Sequence, residues 1–311
     1  MPRFSGIIPP VVTPLVKIDQ LDVEAVDRIA EHLIHGGVNG LFVLGTTGEG
    51  PSLTYQIRYE MVERACEAVA DRVPVLVGVT DTSLVESIHL AEHAKVSGAA
   101  AIVAAAPFYF GTDQVSVANW FRHLASESPL PLMLYNMPSC VGIHLDVETV
   151  AQLSEHQNIV GVKDSSGDIE YFRKLCRQFA DDPEFAVFMG PEELIPEAVA
   201  AGADGGVCGG GNLLPRVYVE LFNASKSENE SQIARMRSVV ENVFQHIYLD
   251  PTGQMNLIPA LKLAMQQCGL CTSCVAPPLS PVSADHEQQL MAGLTSVLQL
   301  ADSPLTTAPL V

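Results

Sequence analysis

Basic residues are scarce in this chain. Across 311 residues, 17 lysines and arginines stand against 36 acidic residues, for a net charge of −19. That sign repels phosphate backbones and anionic bilayers, which argues against nucleic acid or membrane surfaces as partners. Aromatic residues are few, at 6% with a single tryptophan, so the apolar share of 48% is carried by small aliphatics. Such a composition suits helix-on-sheet packing and is too apolar for a disordered chain. Long hydrophobic runs are missing: the longest mostly apolar window, Gly98 to Phe110, is too short to span a bilayer and contains Pro107. Met1-Pro2-Arg3-Phe4 passes into a strand-like run without a basic region and apolar leader, so the expected compartment is the cytoplasm. The cysteine count of seven is odd and scattered, which predicts free thiols rather than a disulfide frame. Also absent are a GxGxxG turn, a P-loop, GxSxG and a zinc-ligand cluster.

What the chain does have is a steady alternation of short aliphatic runs with longer amphipathic ones, the pattern of parallel strands joined by crossover helices. Eight cycles are countable. The predicted strands are Gly6 to Val12, Gly40 to Leu44, Val73 to Val79, Ala100 to Ala105, Leu130 to Tyr135, Ile159 to Lys163, Ala186 to Met189 and Gly205 to Cys208. Val23 to Ile34 shows helical spacing of its apolar residues and stops at Gly36-Gly37. Eight cycles without the dinucleotide turn predict an α/β fold of the closed (β/α)8 type, a TIM barrel, over residues 1–225. The polar break Ser225 to Ser231 then introduces a helical appendage over 226–301, with helices near 231–248, 256–267 and 284–300. The stretch 302–311, with Pro304 and Pro309, is expected to be a loose tail.

Active sites of such barrels lie at the C-terminal ends of the strands. Strand six ends in Lys163, within Ile159-Val160-Gly161-Val162-Lys163-Asp164, and period-two alternation puts Ile159, Gly161 and Lys163 on one face. A lysine in so apolar a run either reaches past the strand into water or is desolvated, and desolvation disfavours the ammonium and frees a nucleophilic amine. Gly161 is expected to leave room beside that amine. Strand two ends in Gly45-Thr46-Thr47-Gly48-Glu49, whose amides and hydroxyls suit a carboxylate or phosphate, with an ordinary capped turn as the alternative. Strand five ends in Tyr135-Asn136-Met137-Pro138-Ser139, where a tyrosine held by another hydroxyl can relay protons and a satisfied core tyrosine is the alternative. Together the three strand ends compose a constellation for imine chemistry on a keto acid.

With Pro107-Phe108-Tyr109, these motifs resemble the dihydrodipicolinate synthase and N-acetylneuraminate lyase family of pyruvate-dependent class I aldolases, from residue 4 to about 225. The resemblance implies that Lys163 forms the imine with pyruvate or a 2-keto acid, that Tyr135 is the general acid/base, and that Thr46 and Thr47 hold the carboxylate. It implies that Thr46 links Tyr135 to a Tyr109 from a neighbouring subunit of a homotetramer, and that backbone groups of Gly190 and Val207 complete the pocket. It also implies covalent lysine chemistry without metal or other cofactor, and an aldehyde as second substrate. Where dihydrodipicolinate synthases carry an arginine after the serine, this chain has Cys140, which cannot grip a carboxylate in bidentate fashion. Sialic-acid lyases more often have serine at the position of Thr46. Lys163-Asp164-Ser165-Ser166-Gly167-Asp168 is similar to members acting on 2-keto-3-deoxy sugar acids, the expected substrate class.

Four further signals weigh less. Cys268, Cys271 and Cys274 have spacing near that of iron–sulfur ligands but lack a fourth partner. His89 and His93 predict a solvated helix face. Gly209-Gly210-Gly211-Asn212 offers either a phosphate turn or a tight turn whose Asn212 caps the next helix. Asp181-Asp182 and Glu192-Glu193 suit surface and helix-dipole positions.

Overall fold

The computed structural model of the protein describes residues 3–302. Eight parallel strands form one sheet: β1 (Gly6–Ile7), β2 (Leu41–Val43), β3 (Val75–Gly78), β4 (Ala101–Ala105), β5 (Leu132–Asn136), β6 (Ile159–Asp164), β7 (Ala186–Met189) and β8 (Gly205–Gly206). Each pairs with its sequence neighbour from β2 to β8, and β8 pairs with β1. The circle closes between β1 and β2 through the Pro10–Phe42 bridge, with Phe42 N donating to Pro9 O at 3.0 Å and Val11 N to Phe42 O at 2.8 Å. The fold is therefore the expected (β/α)8 barrel. β1 is shorter than predicted because Pro9 and Pro10 have no N–H to extend the ladder. A small antiparallel hairpin, Leu15–Lys17 with Gln20–Leu21, was not foreseen.

Helices α1 (Val23–His35), α2 (Tyr55–Val69), α3 (Leu84–Ser97), α4 (Gln114–Glu127), α5 (Val147–Ser154), α6 (Ile169–Gln178), α7 (Ile195–Ala201) and α8 (Pro215–Lys226) surround the strands. Their starts follow local chemistry. The side chains of Asp22, Thr54, Ser83, Asp113 and Asp168 each accept from an amide in the first turn that follows. Beyond them come α9 (Glu230–Val243), a π-helical turn at Phe244–Tyr248, α10 (Leu257–Gln267) and α11 (Ala284–Leu300). Of the expected tail, residues 303–311 lie outside the described residues. Among the described residues, no helix is long and apolar enough to cross a membrane.

Alternation along the strands separates two cores. Leu41, Val43, Val77, Ile102, Leu134, Val162 and Val187 face the helices, whereas Ile8, Phe42, Leu76, Met133, Tyr135, Phe188 and Val207 fill the barrel interior. One expectation fails here. The β5–β6 register slips between Leu132↔Ile159 and Met133↔Gly161, a bulge at Val160. Ile159 consequently packs in the outer core and does not share the face of Lys163, because an extra residue inverts the alternation.

Candidate active site

At the C-terminal mouth, Tyr135 and Lys163 are register partners on β5 and β6. Lys163 is 4% exposed, with its Nζ 4.0 Å from the Tyr135 ring centre and 5.3 Å from that of Phe42. It does not extend into water, and among the described residues no carboxylate lies within ion-pair distance of it. Thr46 Oγ1 lies 3.2 Å from the Tyr135 hydroxyl. A chain of amine, phenol and threonine hydroxyl thus spans three strand ends.

Glycine 161 has a different use from the one expected. A Cβ there would lie 2.5 Å from Ala186 O, so the residue permits close approach of β6 to β7 rather than making space at the amine.

The turn after β2 is shaped by backbone strain and close approach. Leu44 and Glu49 adopt left-handed φ values of 59°, a conformation that costs a side-chain-bearing residue roughly 1–2 kcal/mol. Added Cβ atoms at Gly50 and Gly78 would sit 2.1 and 2.3 Å from Leu44 O, so both glycines are required to admit that carbonyl. Glu49 N donates to Thr46 O at 3.0 Å, closing the turn. Among the described residues, nothing accepts from the amides of Thr46 or Thr47. Two free amides and two hydroxyls at this turn have the chemistry an anionic group requires.

Gly190 and Val207 directly follow β7 and β8, at the same C-terminal mouth of the barrel. Their amides are committed, donating to Asp164 O at 2.7 Å and Met189 O at 2.8 Å, so carbonyl oxygens are what these positions can offer a ligand. Tyr109 stands apart from the others: it is 77% exposed on the β4–α4 loop, edge-on to the exposed Phe110. Within one chain it does not reach Tyr135.

Several residues of consequence were not singled out in the sequence. Asn136 and Asp164 staple β5 to β6 one residue past Tyr135 and Lys163, with Asn136 Nδ2 donating to Asp164 Oδ1 at 2.8 Å. Burial raises the Asp164 carboxyl above its ordinary value despite these donors. Glu49 and Lys262 form a second buried pair. Lys262, a lone charge in the apolar run Leu257 to Met265, was the available signal.

Glu192 is not a surface residue. It is buried and accepts from Tyr218 OH at 2.6 Å, Tyr248 OH at 3.0 Å and Gly210 N at 2.8 Å, while Glu193 remains exposed. The carboxylate therefore occupies an amide that a phosphate would need in the Gly209–Asn212 turn. Asn212 does not cap α8 either; it accepts from Val12 N at 3.0 Å and donates to Pro10 O at 2.9 Å, bracing the barrel closure. His89 is exposed, but His93 packs on Tyr59 at 4.6 Å between ring centres, so the two do not share a solvated face. All seven cysteines are free thiols, with burial pushing Cys268 up to about 11 and Cys271 up to about 12. Among the described residues, no group of three or more His, Cys, Asp or Glu is placed to hold a metal.

A parallel barrel with an interior lysine that has no counter-ion among the described residues, beside a tyrosine hydroxyl held by a threonine, has the makings of a lysine-dependent aldolase. Residues 3–297 match the Dihydrodipicolinate synthetase family, and the chain belongs to it. It is accordingly a pyruvate-dependent lyase of the Schiff-base type. The chain is 33% identical over 302 residues to the probable 2-dehydro-3-deoxy-D-pentonate aldolase YjhH of Escherichia coli K12, covering 95% of this chain and 98% of that one. Among solved structures, dihydrodipicolinate synthase from Bacteroides thetaiotaomicron superposes with a TM-score of 0.90 and 41% identity, covering 94% of this chain and 98% of that one. YagE of Escherichia coli K12, solved in complex with pyruvate, gives 0.87 and 31%, covering 97% and 99%.

Proposed function

We propose that the chain is a class I aldolase that cleaves or forms a 2-keto-3-deoxy sugar acid through an imine at Lys163. The observation that carries this reading is Lys163 buried with no counter-ion among the described residues, 4.0 Å from the ring centre of Tyr135, whose hydroxyl is 3.2 Å from Thr46. In the cleavage direction the amine adds to the C2 ketone and water leaves, giving an iminium. Tyr135 takes the proton of the C4 hydroxyl, the C3–C4 bond breaks, and its electron pair flows into the iminium to leave an enamine and a free aldehyde. Protonation at C3 and hydrolysis then release pyruvate and regenerate the lysine. Thr46 and Thr47 hold the carboxylate, Thr46 aligns the phenol, and the carbonyls of Gly190 and Val207 line the far side. The iminium is itself the electron sink, so the scheme needs no metal or other cofactor.

Two features favour a sugar acid. YjhH is described as acting on a 2-dehydro-3-deoxy-pentonate. The turn after β5 presents the exposed Cys140, which has no guanidinium to offer a second carboxylate. Arg58, on α2, is held by Asp81, Leu53 O and Pro51 O. A second reading, condensation of pyruvate with aspartate semialdehyde, is favoured by the likeness to the Bacteroides synthase, but it asks for a cation at the mouth.

The exposed Tyr109 and Phe110 suit burial against another subunit, and a cytoplasmic homotetramer accompanies the proposal. Within it, the barrel to residue 225 carries the chemistry and residues 226–301 support it. The test is borohydride reduction with pyruvate, which should add a pyruvate-derived mass to the peptide bearing Lys163. An unmodified peptide at saturating pyruvate defeats the mechanism, and initial rates over a panel of 2-keto-3-deoxy acids against aspartate semialdehyde decide the substrate.

A further inference from the structure

Lys262 on α10 reaches across the barrel rim to Glu49, its Nζ donating to Oε1 at 2.6 Å with both side chains 0% exposed. The other oxygen, Oε2, accepts from Ala276 N at 2.6 Å. Both oxygens of this carboxylate are thus held by the segment after residue 226, while its own backbone closes the Thr46 turn. Thr13 Oγ1 braces the same turn from β1's side, donating to Gly48 O at 2.6 Å.

A fully buried ion pair is a poor source of stability, because the desolvation of two charges offsets their attraction, and apolar replacements of similar volume are often tolerated. Geometry is what this pair supplies. Glu49 sits in the left-handed region, where its φ of 59° is sustained only by surrounding contacts. Release of its carboxylate frees the turn to relax, and Thr46, three residues earlier, then loses its place 3.2 Å from the Tyr135 hydroxyl.

We propose that Glu49 and Lys262 are positioning residues that fix the Thr46 hydroxyl on Tyr135, so that the C-terminal helices set the proton relay of the barrel. This rests on the imine reading above. The relay can be read without knowing the aldehyde, because enamine formation exchanges the methyl protons of pyruvate with solvent deuterium. Exchange is followed by proton NMR and divided by the number of sites that borohydride traps at Lys163. The variants are Lys262→Met and the doubly neutral Glu49→Gln with Lys262→Met, which leaves no buried charge unpaired.

Both should lose about 10- to 100-fold in exchange per trapped site, as expected when reacting groups drift by about 1 Å. The double variant should nonetheless keep a Tm near that of the parent. Wild-type exchange per trapped site in the double variant overturns the proposal, as does a series in which neither variant traps pyruvate, since the pair is then a folding determinant. Failure of the parent enzyme to trap pyruvate at Lys163 is a separate result that defeats the imine reading instead.

Discussion

Asn136 donates to Asp164 across the ends of β5 and β6, 2.8 Å apart, one residue beyond the partnered Tyr135 and Lys163. Because side chains alternate, this bond lies behind the strands while the amine and phenol face the interior, and it braces the register that sets Lys163 Nζ 4.0 Å from the Tyr135 ring centre. Asn136 Oδ1 also accepts from Leu145 N at 3.0 Å, so one side chain anchors strand and following loop together. Replacement by leucine, similar in volume, leaves the buried Leu145 amide without a partner, worth about 1–3 kcal/mol, and leaves the Asp164 carboxylate to Ser166 alone. Asn136→Leu should therefore unfold at lower denaturant and trap pyruvate more slowly. Unchanged unfolding would show that the staple contributes nothing.

On the proposed mechanism, Tyr135→Phe retains the amine and the carboxylate cradle but loses the proton carrier. Trapping of pyruvate should persist while turnover falls about 10²- to 10⁴-fold, the range for loss of a general acid/base. Thr46→Val, which conserves shape, should lower kcat with a smaller effect on trapping. Equal turnover of either variant and the parent removes that residue from the relay.

The barrel and the position of the amine were legible in the sequence because each depends on local pattern. Eight aliphatic runs gave strands whose ends were correct to within one or two residues wherever no proline intervened, and the strand-end rule brought Thr46 and Tyr135 together across 89 positions. Period-two counting failed at Ile159 because a bulge cannot be seen in a run in which every residue is apolar or glycine. The Glu49–Lys262 pair was hidden for a different reason: its partners lie 213 residues apart, and no local rule relates a turn glutamate to a lysine on a distant helix. Glu192 was misplaced because a helix-head glutamate suits water equally well, and only Tyr218 and Tyr248 arriving from later helices make burial tolerable.

Close approach of β6 to β7 makes Gly161 intolerant of a side chain. A Cβ would stand 2.5 Å from Ala186 O, a backbone atom that cannot rotate away. Gly161→Ala should destabilise by about 1–3 kcal/mol, the usual cost of overpacking, and should slow imine formation by displacing Lys163 two residues on. A variant as stable as the parent in thermal unfolding would contradict this spacing.

Burial raises the Glu192 carboxyl above its ordinary value of 4.5, against hydrogen bonds from Tyr218, Gly210 and Tyr248 that lower it. A folded-state pKa above the unfolded one means the native state holds the proton more tightly. The contribution of this group to stability is therefore greatest at low pH and falls as pH rises past the ordinary value. Glu192→Gln removes the titration. The difference in Tm, variant minus parent, should climb as pH rises from mildly acid to neutral, by roughly 2–4 °C for each kcal/mol. A pH-independent difference would place no titration at Glu192.

Cys140 is where reaction class and substrate separate. The residue is exposed in the helical turn Pro138–Val141 after β5, with its amide donating to Met137 O at 3.0 Å, so its side chain can be exchanged without disturbing the core. A guanidinium there would offer two parallel donors to a second carboxylate. Cys140→Arg should raise turnover of pyruvate with aspartate semialdehyde by about tenfold or more, the effect of one charge-assisted hydrogen bond of about 1.5–3 kcal/mol, relative to cleavage of the best 2-keto-3-deoxy acid. Pyruvate trapping at Lys163 should not change, because the carboxylate contacts proposed at Thr46 and Thr47 are untouched. If the parent enzyme already turns over aspartate semialdehyde faster than any sugar acid, the substrate proposal fails while the imine survives. If the variant shifts neither rate, position 140 does not choose the aldehyde, and selectivity must come from the carbonyl-lined side at Gly190 and Val207.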